Sequence, residues 1–256
     1  ALREIRPHLI VNPAAYTAVD RAENEPELAM AINGVAPGIL AEEAKRMHAM
    51  LVHYSTDYVF DGAKPGPYRE NDPTNPASSY GRSKLAGEEA IRAVDVPHLI
   101  LRTSWVYGAR GRNFMLTILR LANERHALDV VDDQLGSPTW SRMIAEVSAL
   151  MLAGGDLEAL SGTYHLSCAG SASWYGVARA ILEEYRARRE ARGWPVLRLQ
   201  LQNIAPITTD QYPTAAKRPA NSILDNGKLA RTFGLELPEW RECLGMVLDE
   251  AATVAL

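Results

Sequence analysis

Cysteine is scarce in this chain: Cys168 and Cys243 are the only two among 256 residues. Two cysteines cannot build a disulfide framework, and neither stands at the Cys/His spacing of a metal site. Long apolar runs are also lacking. No stretch has the length of a membrane-spanning helix, and none has the pattern of a signal peptide. Basic residues are not in excess: 27 Lys and Arg stand against 31 Asp and Glu, a net charge of −4. The one dense basic run, residues 186–192, is broken by Glu190 and reads as a solvated helix end. No basic stripe exists to bind nucleic acid. The six histidines are scattered and match no ligand or triad pattern; His53 reads as packing in or beside a strand. These absences point to a cytoplasmic protein without a membrane or nucleic-acid partner.

The composition that remains is that of a globular protein, 47% hydrophobic and 23% charged. The length suits one large α/β domain or two lobes. Short apolar runs at residues 9–11, 50–54, 97–102 and 128–131 read as buried strands. Between them lie helical patterns: 25–46 with Pro37 as a kink, the run after Tyr80, and 113–124. Residues 61–79, rich in Pro, Gly, Asn and Asp, read as loop. Strand and helix alternating in this way is the grammar of a doubly wound parallel sheet, an α/β fold of Rossmann type. Ligands bind such sheets beyond the carboxyl ends of the strands. Asn12 to Thr17, Ser55-Thr56-Asp57 and Thr103-Ser104-Trp105 all follow strands, so they are expected along one polar edge. After residue 133 the pattern changes: a loop at 134–140, helices at 141–152 and 174–192, a short strand at 163–166, and a loop-rich stretch at 203–225. The expected division is therefore 1–132 with 141–155 as a nucleotide-binding domain, and 133–140 with 156–256 as a smaller C-terminal substrate lobe.

Tyr80 and Lys84 stand four residues apart at the start of a helical run, and so on one helix face. A lysine there lowers the phenol's pKa from its ordinary value near 10, making a general acid or base of it. Spacing alone is a weak signal, equally that of a solvated helix face. What surrounds it carries more.

Tyr80-x-x-x-Lys84, the Ser-Thr after the preceding strand, and Arg102-Thr103-Ser104-Trp105-Val106-Tyr107-Gly108 resemble an extended short-chain dehydrogenase/reductase. Residues 11–20 (VNPAAYTAVD), 54–62 (YSTDYVFDG), 133–139 (DQLGSPT) and 218–222 (RPANS) are similar to the dTDP-4-dehydrorhamnose reductase family within that group. The likeness covers essentially the whole chain, in order. It implies reduction of dTDP-4-dehydro-L-rhamnose to dTDP-L-rhamnose by NADPH or NADH, the last step of dTDP-rhamnose synthesis. It implies Tyr80 as proton donor, Lys84 as the group that holds the nicotinamide ribose, and Thr56 as the hydrogen-bond donor to the carbonyl oxygen. Ala15, Tyr16, Thr17 and Tyr54 match cofactor contacts, and Asp57, Trp105 and Arg218 match sugar-nucleotide contacts.

Plainer readings stand beside these: a tight turn for 15–17, a core aromatic for Tyr54 or Trp105, a surface charge for Arg218. Asn33 is expected to bond the kinked helix backbone and is given no catalytic part. Some relatives use Mg2+, which is assigned to no residue here, and a homodimer is carried as an expectation. The departure from the family is at the start. No glycine precedes Gly34, so the glycine-rich turn that cradles the pyrophosphate, and the first strands with it, are not found. Residues preceding Ala1 are expected, and the chain as it stands is expected to hold a dinucleotide poorly. Two other readings remain: a non-catalytic subunit resembling the regulatory subunit of methionine adenosyltransferase, and a reductase of another nucleotide-linked 4-keto sugar.

Overall fold

The computed structural model describes residues 2–154 and 158–251. Its main strands are β1 (Leu9–Asn12), β2 (Met50–Thr56), β3 (His98–Thr103), β4 (Leu128–Val131), β5 (Gly162–His165) and β6 (Ile204–Ile207). Its main helices are α1 (Pro26–Met30), α2 (Ala36–Met47), α3 (Ser79–Val94), α4 (Phe114–Glu124), α5 (Ser141–Ala153), α6 (Trp174–Arg192) and α7 (Trp240–Ala251). The chain forms two compact units. Unit 1 comprises Ala1–Thr103, Ala149–Leu166 and Thr214–Leu235; unit 2 comprises Ser104–Ser148, Ser167–Pro213 and Glu236–Leu256. The division thus falls at the end of β3 rather than at residue 132, and part of the tail belongs with the first unit.

Unit 1 is a Rossmann-type α/β unit built on a parallel sheet in the order β1-β2-β3-β5. Leu9 lies opposite Met50, Thr56 opposite Thr103, and Leu99 opposite Gly162. This corrects one expectation. The strand that follows β3 in the sheet is β5, while β4 pairs in parallel with β6 inside unit 2. A four-residue apolar run announces a strand but does not say which partner it takes. Leu51 of β2 and Ile100 of β3 pack with Ala41 and Ala44 of α2 and Ile91 of α3 in one apolar cluster.

The helix expected over 25–46 is interrupted before Pro37. Residues Ala31–Val35 form a π-helical turn between α1 and α2. Pro37 has no N–H, so the carbonyl four residues back, that of Asn33, loses its helical donor and the helix widens there. Helix α3 starts where the Ser78 hydroxyl accepts the Gly81 N–H at 3.1 Å, and it ends at Asp95 in the left-handed region, φ 54°. Two glycines let it lie close to its neighbours. A Cβ at Gly81 would come 2.3 Å from the Tyr58 carbonyl oxygen, and one at Gly87 2.1 Å from that of Asn33. This approach brings Lys84 and Glu88, one turn apart, fully into the interior.

Glu88 is 0% exposed and ionised there because Arg102 of β3 forks onto it, Nε to Oε1 at 2.9 Å and Nη2 to Oε2 at 2.7 Å. Ser55 also donates to it. Burial opposes the charge, but the Arg102 fork, Ser55 and Arg92 outweigh burial and hold the carboxyl below its ordinary pKa.

In unit 2, residues 134–140 are not a free loop: Leu135–Gly136 pairs antiparallel with Ala172–Ser173, and Thr139–Trp140 pairs with Val106–Tyr107. The stretch 203–225 likewise contains β6 and a short turn of helix, Thr209–Gln211. Cys168 and Cys243 are buried free thiols with Sγ atoms 3.5 Å apart.

Removing one partner of the buried pair leaves a charge without compensation. Glu88→Ala is expected to cost about 3–5 kcal/mol in urea unfolding. The double variant Glu88→Leu/Arg102→Met is expected to lose clearly less than the single one.

Candidate active site

The carboxyl end of β2 and the first turns of α3 converge. Thr56 ends β2; its hydroxyl donates to Asp57 Oδ1 at 2.9 Å and accepts the Tyr58 N–H at 3.2 Å. The Tyr80 phenol lies close enough to the Thr56 side chain for Thr56 to lower its pKa. The Tyr80 ring stands edge-on to that of Tyr58, centroids 5.6 Å apart. One turn along α3, Lys84 Nζ donates to the Tyr54 carbonyl oxygen at 2.6 Å and lies 3.1 Å from His53 Nε2. The other ring nitrogen of His53 is 3.1 Å from Asn12 Nδ2. Thr103, opposite Thr56 in the sheet, has a buried hydroxyl without a hydrogen-bond partner. Thr56, Asp57, Tyr54, Tyr80 and Lys84 are thus brought together as expected from their order in the chain.

The loop at residues 14–17 is tied to the same helix through Asn33. Its side-chain amide accepts from the Tyr16 N–H at 2.8 Å, and donates to the Tyr16 carbonyl at 3.0 Å and to the Ser83 hydroxyl at 3.0 Å. Asn33 therefore serves the loop and α3, not its own helix backbone. The Tyr16 phenol donates to Glu25. Tyr54 meets Lys84 with its carbonyl; neither that role nor the Asn33 clamp is visible in spacing.

Arg218 forks onto Asp20, Nη1 to Oδ1 at 3.1 Å and Nη2 to Oδ2 at 2.7 Å, and this bond lowers the Asp20 pKa. Trp105 belongs to unit 2 and sits in the left-handed region, φ 47°. Its indole stacks on that of Trp174, centroids 3.5 Å apart and planes within 5°. A Cβ on Gly136 would approach the same indole to 2.3 Å. Among the described residues, no group of three or more His, Cys, Asp or Glu side chains is placed to hold a metal ion.

The electrostatics differ from the simple expectation that Lys84 lowers the Tyr80 pKa. Burial pushes the phenol up to about 12; the neighbouring Thr56 side chain opposes this and the Asp57 carboxylate adds to it. The Lys84 amine is itself turned to His53 and Tyr54 and buried, and burial draws its pKa down to about 8, with Glu88 pulling the other way. At neutral pH the phenol keeps its proton.

Comparison with known proteins identifies the family. The sequence model described as the RmlD substrate binding domain matches residues 1–253. The dTDP-4-dehydrorhamnose reductase of Burkholderia thailandensis is 48% identical over 254 residues, 97% of this chain and 84% of that protein. The chain belongs to the dTDP-4-dehydrorhamnose reductase family.

Solved structures of the family superpose over most of their length. The crystal structure of a dTDP-4-dehydrorhamnose reductase from Clostridium acetobutylicum has a TM-score of 0.88 at 37% identity, covering 97% of this chain and 82% of that one. The Bacillus anthracis dTDP-4-dehydrorhamnose reductase, solved in complex with NADP, has a TM-score of 0.87 at 37% identity, covering 97% and 83%.

Lys84 gives a stability test whose sign is fixed. Its folded pKa near 8 lies below the unfolded value of 10.5. Between these values the unfolded chain binds more protons, so this group's contribution to stability rises with pH; below about pH 8 it costs about 3 kcal/mol. Lys84→Met is therefore expected to be as stable as the parent at pH 7 or more so, in thermal or urea unfolding. That advantage is expected to shrink as pH rises from about 8 to about 10.5.

Proposed function

We infer that this chain reduces dTDP-4-dehydro-L-rhamnose to dTDP-L-rhamnose at the expense of NAD(P)H. The observation that carries the reading is the placement of Thr56 beside the Tyr80 phenol, one helical turn from buried Lys84, in a chain of this family. The residues present suit the nicotinamide-ribose end of a dinucleotide. Lys84 Nζ and the Tyr80 phenol are the donors for a ribose diol. Ala15, Tyr16 and Thr17, on a loop that Asn33 holds to α3, and Tyr54 of β2 would line the cofactor. NAD(P)H, when bound, supplies the hydride.

The protein's own part is the proton. A carbonyl oxygen that becomes an alkoxide needs donors already in place. Tyr80 holds a proton at neutral pH, as an ordinary phenol does, and burial and Asp57 disfavour the phenolate further. An alkoxide is the stronger base, so transfer from Tyr80 runs downhill. Thr56 orients the same oxygen. The orphaned Thr103 hydroxyl, next to Thr56 across the sheet, is a further donor of the right kind.

Asp57, Trp105 and Arg218 complete the proposal as sugar-nucleotide contacts, carried by the family resemblance. Arg218 must exchange Asp20 for the ligand's anionic oxygens to act in this way. Assignment of the dinucleotide to unit 1, which also holds Asp57 and Arg218, belongs to the same proposal. So do a homodimer and a cytoplasmic location. The clustering of Thr56, Tyr80 and Lys84 supports an enzyme over a non-catalytic subunit, which has no need of all three.

In the full chain, Tyr80→Phe is expected to lower turnover of the dTDP-4-keto sugar by about 10²-fold or more, with substrate binding largely kept. The measurement is NAD(P)H oxidation followed by absorbance. An unchanged rate would show that the proton comes from another group, and no oxidation by the parent protein would sink the reading itself.

A further inference from the structure

Four polar groups form a line in unit 1: the Ala14 N–H, the Asn12 amide, the His53 imidazole and the Lys84 amine. Their donors and acceptors constrain one another. The Ala14 N–H donates to Asn12 Oδ1 at 3.2 Å, which fixes the orientation of that amide. Asn12 Nδ2 then faces His53 Nδ1 at 3.1 Å. An amide nitrogen only donates, so Nδ1 accepts and the ring proton sits on Nε2. Nε2 in turn faces Lys84 Nζ at 3.1 Å. An ammonium cannot accept. The arrangement is therefore that of a neutral Lys84 amine, accepting from His53 and donating to the Tyr54 carbonyl at 2.6 Å.

With a proton added to Lys84, every link reverses. The ammonium needs an unprotonated Nε2, so the ring proton must sit on Nδ1. Asn12 must then offer Nδ1 its oxygen, and the Ala14 N–H loses its acceptor. The net change is one proton taken from solvent. A doubly protonated ring is no escape: His53 is 0% exposed, and burial together with Lys84 holds its pKa down to about 3.

The other charged groups around Lys84 do not change over this range. Glu88, on the same helix, is held ionised by Arg102 from β3, by Ser55 from β2 and by Arg92. Tyr80, also on α3, stays neutral.

We propose that His53 is a positioning residue for Lys84, and that the Asn12–His53–Lys84 chain couples the proton on Lys84 to the loop that begins at Ala14. The functional meaning rests on the reading above, in which that loop and Lys84 both meet the dinucleotide. A ligand that favours the ammonium then frees the Ala14 N–H, and a ligand that engages the Ala14 N–H favours the ammonium, since such coupling is reciprocal.

The test needs no turnover. Histidine-selective 15N NMR of the full chain without ligand is expected to show His53 with its proton on Nε2 above about pH 8 and on Nδ1 below it. One tautomer throughout roughly pH 6 to 10 overturns the proposal. Asn12→Asp supplies a second arm. A carboxylate accepts from the Ala14 N–H and from Nδ1–H together, so the conflict disappears. His53 is then expected to hold its proton on Nδ1 at all these pH values, and the Lys84 pKa, read from its side-chain 13C shift, to rise by about one unit or more. In a His53→Phe background the same substitution is expected to move Lys84 by less than about half as much. Equal shifts in both backgrounds mean that the new charge acts through space, and overturn the relay. A normal tautomer switch in a protein that reduces no sugar nucleotide would strike the functional reading and leave the coupling standing.

Discussion

The close approach of α3 to two neighbouring turns, at Tyr58 after β2 and at Asn33 between α1 and α2, is the constraint on which the rest of unit 1 depends. It requires glycine at positions 81 and 87, because a Cβ at either would overlap a backbone oxygen. Once the helix lies that close, side chains at 84 and 88 have nowhere to go but inward. Both carry charge, and both need partners that water would otherwise provide. The sheet supplies them from strand residues that point the same way: Arg102 and Ser55 to Glu88, His53 and the Tyr54 carbonyl to Lys84. The reactive groups are thus set by packing geometry first and by their own chemistry second.

Burial also decides which state each reactive group adopts. A phenol beside an ammonium is ordinarily read as a lowered phenol. Here Tyr80 and Lys84 are each displaced from water, and each moves toward its neutral form. For a residue that must deliver a proton, a neutral phenol is the useful form. The lysine, drawn to about 8, stands where small changes in its surroundings alter its charge.

Much of this was legible in the chain. Three short apolar runs named β1, β2 and β3, and the polar residues that follow β1 and β2 fall where a parallel sheet places them. The cluster of Thr56, Tyr80 and Lys84 followed from that order. The fourth strand did not. Residues 128–131 and 162–165 are both short, and only tertiary pairing decides that the second joins the sheet. The break before Pro37 was expected at the proline, but the missing N–H acts four residues earlier, at the carbonyl it fails to engage. His53 looked like strand packing, and it is buried in a strand. What spacing cannot show is that its two nitrogens each face a polar group from a different element.

Two of the five tryptophans, Trp105 and Trp174, lie face to face at 3.5 Å. Indoles this close share their electronic excitation and do not absorb and emit as separate chromophores. Unit 2 therefore carries a built-in optical probe. Any event that parts this pair changes the near-ultraviolet circular dichroism and emission of the protein, with no label attached.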